Sequence, residues 1–94
     1  MTSAAFSINP ATGEEIARYP FQDDAGLDAT LERSHTAFFA WKDLGIAARC
    51  EILERMAKVP RGKIAAYASV ITSEMGKPVA QATTEVEKCA LLCE

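Results

Sequence analysis

The chain has 94 residues, about half of them hydrophobic and a quarter charged, with a net charge of −3. That is a globular balance, long enough for one small domain, and it excludes a disordered segment. No block of Lys and Arg offers a surface to nucleic acid or to an anionic membrane, and no apolar run approaches the roughly 20 residues a membrane span needs.

The first residues, Met1-Thr2-Ser3-Ala4-Ala5-Phe6, lack a basic stretch before an apolar one, so no signal peptide is predicted. Phe6 to Ile8 and Ile16 to Phe21 read as short strands flanking Asn9-Pro10-Ala11-Thr12-Gly13. Asn and Pro initiate turns and Gly accepts a positive φ, so a hairpin over about 6–21 is expected; an irregular arm is the alternative.

Asp23 or Asp24 is placed to cap a first helix over about 24–41. Leu27, Leu31, Phe38 and Trp41 follow at steps that put them on one face, and Asp43-Leu44-Gly45 breaks the pattern. A second helix over about 46–59 carries Ile52, Leu53, Met56 and Ala57, and Pro60 with Gly62 is expected to end or kink it. A third, over about 62–75, carries Ile64, Ala68, Ile71 and Met75.

Glu74-Met75-Gly76-Lys77-Pro78 then reads as a tight helix–helix corner. Gly76 suits the left-handed position past a helix end, and Pro78 suits the first turn of the next helix, where its missing N–H costs nothing. The fourth helix, over about 78–94, aligns Val79, Ala82, Val86, Ala90 and Cys93 and meets no stop signal before Glu94. The expectation is that the chain is truncated within this helix.

Few residues point to chemistry. The glycines at 13, 26, 45, 62 and 76 have no spacing that lets a backbone wrap a phosphate or dinucleotide. Cys50, Cys89 and Cys93 are an odd number in a chain without an export signal, which predicts free thiols and a cytoplasmic location. Cys89 and Cys93 share a helix face, but no CxxC accompanies them and the single histidine, His35, is distant, so small core-facing thiols are expected rather than a metal or redox site. His35 itself reads as a partly exposed helix residue. Glu85 and Glu87 are two apart and do not face each other as an acid–base pair. The aromatics Phe38, Phe39 and Trp41 are expected in the core.

Taken in order, Asn9-Pro10-Ala11-Thr12-Gly13-Glu14, Ala37-Phe38 with Trp41, Arg49 with Leu53 and Ala57, Glu74-Met75-Gly76-Lys77-Pro78, and Glu85-Val86 resemble the N-terminal segment of the aldehyde dehydrogenase superfamily. Each piece alone is weak and the ordered set, over roughly residues 6–94, is specific. Met75 with Gln81-Ala82 and Glu85-Val86 is most similar to the succinate-semialdehyde branch.

The resemblance implies an α/β parent fold with a Rossmann-type cofactor domain. This segment would be the mostly helical N-terminal part of that NAD(P)-binding domain. It implies an enzyme that oxidises an aldehyde to an acid with NAD or NADP, using a cysteine thiolate, a water-activating glutamate and an oxyanion-holding asparagine. Those residues and the nucleotide-binding elements belong to later parts of such chains, so none of Cys50, Cys89 and Cys93 is promoted to the nucleophile. Catalytic and cofactor-binding residues are therefore expected to be absent here, and the 94-residue chain inactive alone.

Its partner is expected to be the rest of the same polypeptide, in a parent that is a homo-oligomer and binds neither nucleic acid nor membrane. A monovalent cation held by main-chain oxygens of Ser7 and Ile8 and by Glu87 is also implied. One departure stands out: Pro60 occupies a position where the family carries an apolar helix former, so either the second helix ends early or the sequence has drifted from a working enzyme. The alternative to all of this is a complete small helical interaction module with no catalytic role.

Overall fold

The computed structural model describes residues 3–94. Met1 and Thr2, on which the signal-peptide reading partly rests, lie outside the described residues.

Strand β1 (Ala4–Ile8) pairs antiparallel with β2 (Glu15–Pro20), with Phe6 opposite Arg18 and Ser7 opposite Ala17. A register shift follows between Ser7 and Ile8. The connection is a hairpin, not an irregular arm, because its residues close it locally. Asn9 Oδ1 accepts from the backbone N–H groups of Ala11 (2.8 Å) and Thr12 (3.3 Å), and Gly13 takes φ +76° as its N–H donates to the Asn9 carbonyl (2.8 Å). Both strands start earlier than their apolar residues suggest, and Phe21 falls outside β2.

Helix α1 (Asp24–Asp43) is capped by Asp23, whose Oδ1 accepts from Gly26 N–H at 2.7 Å. It runs two residues past Trp41. Helix α2 (Ile46–Gly62) includes Pro60 and ends at Gly62, three residues beyond the expected bound of about 59 but within the pair expected to end or kink it. Pro60 lies in the last turn, so its absent N–H frees only the carbonyl of Met56, a residue 58% exposed. The helix closes two residues later, as Lys63 N–H donates to the Pro60 carbonyl at 3.1 Å.

Helix α3 (Ile64–Met75) follows at once, Lys63 flanking both helices. It ends at Gly76, in the left-handed region at φ +71°, with Gly76 N–H on the Thr72 carbonyl at 2.9 Å. In helix α4 (Val79–Cys93), Pro78 is the extended cap residue rather than the first helical one, and its carbonyl accepts the first bond, from Ala82 N–H (3.0 Å).

The core lies where α4 packs on α2 and α3. Ala82, Val86 and Ala90, one turn apart on α4, are buried with Ala57 of α2 and Ala68 of α3. Ile64 and Ile71 pack against Ala68, Ala82 and Val86. Four of the five buried residues are alanines, which lets the helix axes approach closely but hides little apolar area.

The radius of gyration is 17.4 Å, against about 12 Å for a compact domain of this length. The extents of 48 × 37 × 14 Å describe a slab about one helix thick. Each helix therefore keeps a face open. The expectation that the α1 aromatics sit in a core is overturned: Phe38, Phe39 and Trp41 are 53%, 45% and 38% exposed, and α1 contains no buried residue. The described residues hold one antiparallel hairpin and no parallel sheet, so the α/β parent architecture is not carried by them.

Candidate functional site

The two segments that stand out in the sequence meet in space. Ser7 Oγ on β1 donates to Glu74 Oε1 near the end of α3 at 2.9 Å. Pro10, in the hairpin turn, reaches the corner so closely that a Cβ on Gly76 would lie 3.1 Å from the Pro10 Cγ. Gly76 suits the site by its positive φ, and a Cβ there would be a tight contact that Pro10 must yield to by a few tenths of an ångström. Across the corner, Lys77 Nζ donates to Glu85 Oε2 at 2.8 Å, tying the loop to the second turn of α4. No spacing rule foresees the Ser7–Glu74 or Pro10–Gly76 contacts, because their partners are more than sixty residues apart.

Beside the corner, an open apolar groove of about 920 Å³ lies among α2, α3 and α4. Met56, Val59, Tyr67, Val70, Met75 and Cys89 line it, with the Lys77–Glu85 pair at its margin. Sequence reasoning missed it by assigning Met56, Met75 and Cys89 to the interior. Cys89 is exposed, a correction to its expected core-facing role, and it faces the groove because the layer has nothing on that side. Cys93 is half-buried and Cys50 exposed, and all three thiols are free.

The residues expected to hold a cation lie on two elements, Ser7 and Ile8 on β1 and Glu87 on α4. The main-chain oxygens of Ser7 and Ile8 flank the register shift of the hairpin, and Glu87 is exposed on α4. Among the described residues no hydrogen bond joins Glu87 to either. Its charge acts on Arg61, whose guanidinium Nε donates to Glu94 Oε1 at 2.7 Å; that bond, opposed by desolvation and aided by the charges of Glu94 and then Glu87, raises the Arg61 pKa above its ordinary value.

No constellation for catalysis forms among the described residues. Among the described residues no group of three or more His, Cys, Asp or Glu is placed to hold a metal ion. His35 packs edge-on against Phe39, the ring centroids 4.8 Å apart, and beside that pair Lys42 Nζ stands 5.1 Å over the Phe39 ring. No glycine-rich turn between a strand and a helix forms among the described residues. Gly13 and Gly76 serve turns, Gly26 and Gly62 lie inside helices, and Gly45 precedes α2 without a strand before it. At the start of α1 the Gly26 N–H is taken by the Asp23 carboxylate, whose charge repels a phosphate.

A sequence model of the aldehyde dehydrogenase family matches residues 2–94. Among curated relatives, the NAD(P)+ succinate semialdehyde dehydrogenase Sad of Escherichia coli (strain K12) is 39% identical over 90 residues, covering 96% of this chain and 20% of that protein. A probable NADP(+) succinate-semialdehyde dehydrogenase of Synechocystis is 33% identical over 90 residues, with the same coverages. The acylating, mitochondrial methylmalonate-semialdehyde/malonate-semialdehyde dehydrogenase of Mus musculus is 37% identical over 78 residues, covering 83% of this chain and 15% of that protein. The chain spans about a fifth of the length of the first relatives it matches.

Proposed function

The chain belongs to the aldehyde dehydrogenase family, and from that premise we propose that it is the N-terminal part of an NAD(P)-dependent enzyme oxidising succinate semialdehyde to the acid. The observation that carries this reading is the match along almost the whole chain to relatives named for that aldehyde. In the balanced reaction, aldehyde, water and NAD(P)+ give acid, NAD(P)H and a proton. Residues 3–94 contribute none of the groups that perform it. Their part is structural: the hairpin turn and the α3–α4 corner, held by Ser7, Glu74, Pro10 and Gly76, brace a helical layer.

On this reading the open faces of that layer are completed by the rest of the polypeptide, which also supplies the Rossmann-type cofactor domain. The parent enzyme is a cytoplasmic homo-oligomer, a location consistent with three free thiols. No helix among the described residues is long and apolar enough to cross a membrane. A monovalent cation at the Ser7 and Ile8 main-chain oxygens and Glu87 belongs to the same proposal; the interrupted ladder at Ser7/Ile8 supports it. Replacing Glu87 by Gln is then expected to remove any potassium dependence of activity, and unchanged dependence would exclude Glu87 as a ligand.

The test is a chimera in which this chain replaces the matching fifth of the Escherichia coli relative. NAD(P)H formation at 340 nm with succinate semialdehyde is expected from the chimera and not from the 94-residue chain alone. A soluble, folded chimera without activity overturns the reading, and so does turnover by the chain alone. The second reading, a self-sufficient helical interaction module, is favoured by the open groove and opposed by the one-helix thickness of the slab.

A further inference from the structure

We draw no further inference here: the strongest candidate, the open apolar groove among α2, α3 and α4 lined by Met56, Tyr67, Met75 and Cys89, carries nothing because nothing in the structure shows what covers it beyond the remainder of the polypeptide already proposed.

Discussion

Gly76 is the residue on which the most geometry converges. Its φ of +71° lies where a Cβ is penalised, and a Cβ there would press on the Pro10 ring at 3.1 Å. Replacing Gly76 by Ala is expected to cost about 1–2 kcal/mol from the left-handed conformation alone, with a further cost for displacing Pro10. Urea unfolding of the chimera reads this directly, and an unchanged midpoint would show that the corner relaxes freely. Cysteine chemistry is decided at the same scale. Cys50 and Cys89 are exposed and Cys93 half-buried, with no disulfide among them. Ellman's reagent is expected to titrate two thiols of the native 94-residue chain quickly and one slowly. A single fast thiol would place Cys89 back in an interior. Their four-residue spacing put Cys89 and Cys93 on one helix face; only the position of α2 and α3 separates them.

At the scale of elements, start and stop signals were legible and packing partners were not. The turn at Asn9 to Gly13, the Asp23 cap and the Gly76 stop act through bonds spanning a few residues, so local sequence suffices to find them. Pro60 and Gly62 marked the end of α2, but the bound fell three residues early because a proline in the last turn loses little. The α4 seam is the tightest contact, with Ala68, Ala82 and Ala90 fully inaccessible. Ala82→Leu is expected to destabilise by about 1–3 kcal/mol through overpacking against α3. The same change at Ala65, which is exposed, is expected to be near neutral. Thermal unfolding of both variants in the chimera separates them; equal losses would mean that the α3–α4 seam is not as closed as it stands.

For the whole molecule, the balance of apolar faces matters more than any one contact. Leu27, Leu31, Phe38, Met75 and Leu92 remain about half or more exposed, while the core is four alanines and a valine. Exposed apolar area on this scale marks a surface that associates with another. The 94-residue chain alone is therefore expected to bind the dye ANS strongly, to self-associate and to melt without a sharp transition. A monomer with weak dye binding and a cooperative melt would instead favour a self-sufficient module. Salt has little to add, because the Arg18–Glu15, Arg61–Glu94 and Lys77–Glu85 pairs are solvent-accessible and such pairs are screened.

The sequence by itself determined the hairpin turn, four helices, the Gly76 corner and, through an ordered set of short motifs, the aldehyde dehydrogenase family. Each of these depends on residues close together in the chain or on their linear order, and both are written in the sequence. Only the tertiary structure decided which apolar stripes are buried. Periodicity says that a helix has an apolar face, but not whether another element reaches it. Here α4 finds partners on both sides, α1 buries none of its residues, and a layer one helix thick leaves the groove open. The meeting of Pro10 with Gly76 and of Ser7 with Glu74 belongs to the same class, because a contact across more than sixty residues exists only once the chain has folded back on itself.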